Sequence, residues 1–458
     1  MLAMRVAGTL LWMAYTVVLA RTLPKADFAT VLYVINFAFT AVLVITLGRD
    51  VALLKIASQA WGEGRSGVIP ALLARSRRIV LISGGVLIAL LCGLWATGLN
   101  TPITREFDVA LMTGLITSVA GLMALNRDCL RAVGRVWQSQ LSLNFTRSVV
   151  PVTGSALVFY WGNMSLDWAL GLFLASLVLS LIVEGWFLGR VNWASDPDGL
   201  DHDQKSLGRT GLELWPGDIA NAVQMRLAGL IVGLLLSPEI LALFLAAERI
   251  AGLAQFPIGA AAQAAAPRIA RAVALGRNEM QAALLEAGKV MAAGALIGAG
   301  GAGLIAWPAL LLLGPGYSDA LPITLVLTAA HLASMGFGLA QTALILTGHA
   351  RRYSAISVMM ASLGVVAVSV GTYYGGAFDD NSSALAFDGL GNLLMAGRTL
   401  SVGTELASAG AHQGSFNGDN NSASSAWYDG FVVKFGMPAS QPAFAFTGNG
   451  AWSNPANW

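Results

Sequence analysis

Residues 28–47 read FATVLYVINFAFTAVLVITL, twenty positions without an acidic or basic side chain. At 1.5 Å rise per residue, such a run crosses the roughly 30 Å hydrocarbon core of a bilayer as one helix. Lys25 and Asp27 precede it, and Gly48, Arg49 and Asp50 follow it, so charge returns at both ends. Comparable runs lie at Ala3 to Ala20, Val80 to Leu99, Val109 to Leu125, Val149 to Trp161 and Trp168 to Leu188. Five more lie at Pro216 to Leu236, Ile240 to Ala260, Val290 to Leu313, Leu321 to Leu346 and Ala355 to Tyr374, which makes eleven spans. The run from Val149 is short and extends back toward Leu141 to reach spanning length. The first run has one basic residue, Arg5, and no small-residue cleavage site before Arg21, so it reads as a retained helix rather than a secretory signal.

Composition excludes other classes. The 458 residues are 56% hydrophobic and 11% charged, with a mean hydropathy of +0.66, where a soluble domain carries about 25% charged residues. A soluble globular enzyme, a disordered chain, collagen and a disulfide scaffold are all ruled out. Cys92 and Cys129 lie in or beside apolar runs and read as small core residues. The net charge of +2 gives no argument for a nucleic-acid partner.

The distribution of charge says more than its sum. One alternating set of loops holds 19 Lys and Arg residues, from Arg49 through Arg352, and the other holds Arg21, Lys25 and Arg105. Cytoplasmic loops carry the basic excess, so the N-terminus is expected in the cytoplasm. A repeat is legible in spacing. Pro24 and Pro238 each open a helix, Gly64-Arg65 and Gly276-Arg277 each lie in a basic loop, and Arg78 and Lys289 each precede re-entry. The separations are 214, 212 and 211 residues. Two parallel repeats are a common plan for transporters whose bundles rock about a central site. The expected domains are a lobe at 1–210, a second lobe at 211–376, and a tail at 377–458.

Family resemblance rests on three motifs. Ala247-Glu-Arg-Ile-Ala-Gly-Leu253 followed by Ala266-Pro-Arg-Ile-Ala-Arg271 and Gly276-Arg277, then Leu313-Gly-Pro-Gly-Tyr-Ser-Asp-Ala320, then Thr347-Gly-His-Ala-Arg351, resemble polysaccharide biosynthesis and O-antigen flippases of the multidrug/oligosaccharidyl-lipid/polysaccharide exporter superfamily. The resemblance covers residues 1–374. It implies flipping of lipid-linked oligosaccharide (polyprenyl-pyrophosphate sugar) across the bacterial inner membrane, for lipopolysaccharide or other polysaccharide export. The implied partners are that substrate, membrane lipids, polysaccharide polymerase and glycosyltransferases. Such proteins usually have twelve or fourteen helices, and here the second bundle stops after its fifth.

Ionisable groups inside spans cost about 2.5–3.5 kcal/mol on insertion scales and usually face a cavity or a partner. Arg226 and Arg249 sit near the middles of the seventh and eighth spans, with Glu248 beside the latter. Two guanidiniums facing a wet cavity suit a pyrophosphate; alternatively Arg226 and Glu248 pair and lock the helices. His331 lies in the tenth span and either couples transport to protons or packs as a hydrogen-bonded residue. Arg127 and Arg147 read as topology determinants, and Glu184 and Asp218 as solvated helix-end carboxylates. The first span lacks a carboxylate, which argues against a cation-coupled multidrug antiporter.

No enzyme, cofactor or metal site is expected. Gly298 to Gly303 fits G-x-G-x-x-G but lies within an apolar helix, where Gly294 and Gly298 suit close helix packing instead. The four histidines are scattered and no nucleophile and base stand together. Past Tyr374 the chain changes character. The tail from Ala377 carries −4 against +6 for the rest, with Asn392 to Thr399 and Phe431 to Phe435 alternating as strands. Its Asp388-Gly-Leu-Gly-Asn392 and Asp429-Gly-Phe-Val-Val-Lys434 resemble one bacterial β-propeller repeat, while Asp419-Asn-Asn421 lacks the spacing of an EF-hand loop and reads as solvated loop. The fold expected is therefore an all-α polytopic membrane protein of about eleven helices in two pseudo-repeated lobes, with a small β-rich extracytoplasmic tail. Alternatives to the flippase are a membrane anchor displaying the tail as a binding module, the multidrug antiporter, and a non-functional chimera of two incomplete coding regions.

Overall fold

A computed structural model describes residues 2–99, 101–161, 164–194, 200–257 and 277–332, with Ile269, residues 355–356 and 358–359, and three strands within 380–435. The second half of the tenth expected span, most of the eleventh, the loops holding Arg268, Arg271, Arg351 and Arg352, and the Asp388–Asn392 and Asp419–Asn421 motifs lie outside the described residues. The chain divides into two compact units, Met1–Gly364 and Val365–Trp458.

The first unit is helical. Helix α1 spans Leu2–Thr22, α2 Lys25–Thr46, α3 Arg49–Gly62, α4 Val68–Ala96 and α5 Phe107–Ala132. Helix α6 (Val136–Leu141) passes through a π turn at Ser142–Thr146 into α7 (Arg147–Trp161), so the short fifth run is continued backward by helix. Then come α8 (Leu166–Gly189), α9 (Leu200–Leu235), α10 (Pro238–Ala251) with a 3-10 turn at Gly252–Ala254, and α11 (Arg277–Leu313). An apolar helix follows at Ser318–Leu332. Six helices among the described residues are long and apolar enough to cross a membrane: Lys25–Thr46, Val68–Ala96, Phe107–Ala132, Leu166–Gly189, Pro238–Pro257 and Asn278–Leu313.

Local sequence explains the ends. Helix α2 stops at Leu47 and Gly48, both left-handed with φ of 52° and 68°, a conformation that closes helices and suits glycine. Ser165 caps α8 by accepting from the Trp168 amide. Pro238 stands in the first turn of α10, where its missing N–H is no loss, with Glu239 beside the positive helix end.

Helix α2 is the hub. It is buried along most of its length and packs on α4, α5, α8, α9 and α10, whereas little of α4 and α11 is buried, leaving one face of each to meet lipid. Lipid gives apolar side chains no reason to leave it, so close packing and polar contacts must hold the helices together. Small residues supply the first. A Cβ on Gly8 of α1 would overlap the Asn144 backbone in the π turn, and one on Gly233 of α9 would overlap the Tyr33 ring. Hydroxyls supply the second: Tyr15 donates to the Ala169 carbonyl at 3.2 Å and Tyr33 to the Leu230 carbonyl at 3.0 Å.

At the end carrying the α1–α2 turn, Arg21 donates to the carbonyls of Leu312 (2.8 Å) and Leu311 (3.1 Å) at the close of α11. Lys25 lies 5.5 Å from the Tyr317 ring centre, and Phe28 packs edge-on against that ring. At the opposite end, Arg65 pairs with Asp203 at 2.7 Å and Trp215 donates to the Leu43 carbonyl at 2.9 Å, tying the start of α9 to the α2–α4 region.

In the second unit, β1 (Asp380–Phe387), β2 (Leu393–Thr399) and β3 (Asp429–Phe435) form an antiparallel sheet in the order β1-β2-β3. Leu393 pairs with both Phe387 and Phe435, and the β1–β2 register shifts between Ser382 and Ala384.

Candidate functional site: an arginine-lined cavity

One cavity of about 540 Å³ opens among α1, α2, the α6–α7 segment, α9, α10 and the helix Ser318–Leu332. All four residues singled out in the sequence, Arg226, Glu248, Arg249 and His331, line it. Arg147 lines it too. A basic residue at a helix end reads as a topology determinant, but here the π turn brings it to the cavity wall, and π turns occur often at functional sites.

The three guanidiniums are held by different means. Arg147 stacks 5.5 Å from the Trp12 ring centre and 5.2 Å from that of Phe39, and Arg249 stands 5.1 Å from Trp12. Trp12 is itself backed by Phe173 at 5.8 Å and Tyr15 at 5.6 Å between centroids. Arg226 Nη1 lies 3.5 Å from the Phe39 carbonyl. None of the three forms an ion pair among the described residues, and Arg147 Nε and Arg249 Nη2 are buried with no hydrogen-bond partner there.

Glu248 is the only carboxylate among the described lining residues, and it does not pair with Arg226. Its Oε2 accepts from Asn36 Nδ2 at 3.3 Å, across from Gly229, where a Cβ would stand 3.4 Å from that oxygen. His331 Nδ1 lies 2.8 Å from Gln255 Nε2. Asn144 donates to both the carbonyl and Oε1 of Gln140 at 3.0 Å, so amides complete the wall. With three guanidiniums, which stay charged, against one carboxylate, the cavity carries a formal excess of positive charge. That arrangement suits a multiply charged anion.

Two other assignments change. Glu184 is fully buried instead of solvated, and Asp218 is half-buried with Oδ2 enclosed and without a hydrogen-bond partner among the described residues. Arg127 lies beside Asp128 at 3.6 Å and is not among the residues that line the cavity. Trp12, Phe39 and Asn36 escape a sequence reading because aromatic and amide residues in apolar runs are indistinguishable there from ordinary packing. No cluster of metal-ligating groups occurs among the described residues.

The helical fold is similar to that of solved transporters of the MOP superfamily. An inward-facing multidrug resistance MATE family transporter of that superfamily is 15% identical, with TM-score 0.66, over 80% of this chain and 87% of its own. The outward-facing conformation of a multidrug resistance MATE family transporter is 16% identical, with TM-score 0.60, over 82% and 87%. A MOP superfamily transporter from Pyrococcus furiosus, described as having reversed polarity of its binding pocket, is 16% identical, with TM-score 0.58, over 81% and 86%. No curated protein matches. The chain belongs to the polysaccharide biosynthesis protein family, whose sequence profile matches residues 1–273.

Proposed function

We propose that the protein flips lipid-linked oligosaccharide across the bacterial inner membrane. The observation that carries this reading is that Arg147, Arg226 and Arg249 line one cavity and none of them forms an ion pair among the described residues. A planar guanidinium donates two parallel hydrogen bonds to phosphate oxygens, so two or three of them can grip a pyrophosphate where a lysine would offer only a point charge. The sugar then follows through the polar cavity while the polyprenyl tail stays in lipid. Segments 1–210 and 211–376 act as the two rocking lobes, and the 19 to 3 split of basic residues puts the N-terminus in the cytoplasm and the tail outside it.

The rival reading is a multidrug antiporter, which the fold also supports. Its cationic substrates would meet a cavity of like charge, and desolvated like charges repel strongly. In reconstituted vesicles, Arg226→Ala and Arg249→Ala should each abolish translocation of a polyprenyl-pyrophosphate oligosaccharide while leaving folded protein. Full activity in both variants, or efflux of cationic dyes by the wild type, would sink the proposal.

A further inference from the structure

Glu184, far along α8, is 0% exposed, and neither of its carboxyl oxygens has a hydrogen-bond partner among the described residues. The groups that could neutralise it are engaged elsewhere. On α4, Arg77 gives its Nε and Nη2 to Asn126 Oδ1 at 3.1 and 2.5 Å. On α5, Asp128 is held by Arg131 at 2.9 Å and approached by Arg127 at 3.6 Å. From the π turn, the buried Ser142 hydroxyl lies near the carboxyl group and donates to the Ser180 carbonyl at 3.4 Å, and Ser139 on α6 donates to the Val136 carbonyl. Helix α2 has no charged residue between Phe28 and Thr46, and on α7 the charged group is Arg147, which stacks on Trp12 and Phe39. One turn before Glu184, the buried Ser180 hydroxyl is likewise unpartnered.

An ionised carboxylate in that position would have lost its water with no cation paired to it and only the Ser142 hydroxyl near it, which is a costly arrangement in a protein. A neutral carboxylic acid has no such cost. We propose that Glu184 is a proton-binding site, separate from the arginine-lined cavity, and that it holds its proton in this conformation. When α8 shifts against α5, Arg127 or Arg77 becomes able to pair with the carboxylate, and the proton leaves to water. The site thereby gives the protein an exchangeable proton that changes with conformation, whatever substrate the cavity takes.

The test is infrared spectroscopy of the purified full chain in lipid at neutral pH. The wild type should show a protonated-carboxyl carbonyl band, amounting to one group per chain, that shifts in heavy water and is missing in Glu184→Gln. Glu184→Met should lose the same band if the Gln variant does not fold. Identical spectra for wild type and variant would overturn the proposal, because Glu184 would then be ionised. So would a band that never shifts in heavy water, since a trapped proton cannot exchange. Thermal stabilisation by sodium over potassium that vanishes in Glu184→Gln would also overturn it, in favour of a metal cation.

Discussion

The guanidinium of Arg249 on α10 stands 5.1 Å from the centre of the Trp12 ring on α1, and Arg147 on α7 stands 5.5 Å from the same ring. A single indole thus steadies two like charges brought in by different helices. Such contacts contribute about 0.5–2 kcal/mol each, more when desolvated. Trp12→Leu keeps an apolar filler and removes the π face. Binding of a polyprenyl pyrophosphate to the purified protein should weaken by about tenfold, the equivalent of about 1.4 kcal/mol; unchanged affinity would show that the ring only packs.

Arg21 satisfies two of the carbonyls that α11 leaves open at its last turn. Hydrogen bonds from a charged donor are worth about 1.5–3 kcal/mol when sheltered and less when exposed, as here. Arg21→Ala should lower thermal stability by about 1 kcal/mol. It should also raise labelling of a Ser318→Cys probe in a cysteine-free background. Equal labelling with and without Arg21 would mean that Arg21 does not order the turn after α11.

Gly8 and Gly85 separate close approach from mere occurrence of glycine. A Cβ at Gly8 would overlap backbone of the π turn, whereas Gly85 has open space around it. Gly8→Leu should cost about 1–3 kcal/mol through overpacking and cut the yield of monodisperse protein, while Gly85→Ala leaves both unchanged. Size-exclusion profiles and melting curves of the two variants decide it.

The thiols offer a check on burial. Cys129 is fully buried and Cys92 is partly exposed, and both are free. A small maleimide should leave Cys129 untouched in folded protein and modify it only after detergent denaturation. Early modification of Cys129 would contradict the packing of α5 against α3 and α4.

Much of the helix layout was legible because charge-free runs of about twenty residues have one economical solution in a bilayer. The candidate site was legible in part for the same reason. Arg226, Arg249, Glu248 and His331 are conspicuous in apolar surroundings, and all four line the cavity. Arg147 was not, since a basic residue at a helix boundary ordinarily marks sidedness; only the π turn, which has no sequence signal, carries it inward. Glu184 shows the converse error. Its position near a helix end suggested water, but solvation depends on which neighbours cover the end, and sequence spacing does not record them.

Helix α9 contains two segments with different attachments. From Leu200 to Trp215 it is fastened to the α2–α4 region by Arg65–Asp203, by Trp215 to Leu43, and by Gly211, whose carbonyl meets the left-handed Gly48 so closely that a methyl there would collide. Beyond Pro216 the same helix carries Arg226 to the cavity wall. Proline removes one rung of the hydrogen-bond ladder and crowds another, so bending concentrates at that position. Past Arg226 the helix is fastened to α2 again, by Tyr33 to the Leu230 carbonyl and by Gly233 against the Tyr33 ring, so Arg226 and the weak point at Pro216 lie between two anchors on one helix, and a bend there would move the guanidinium without releasing either anchor.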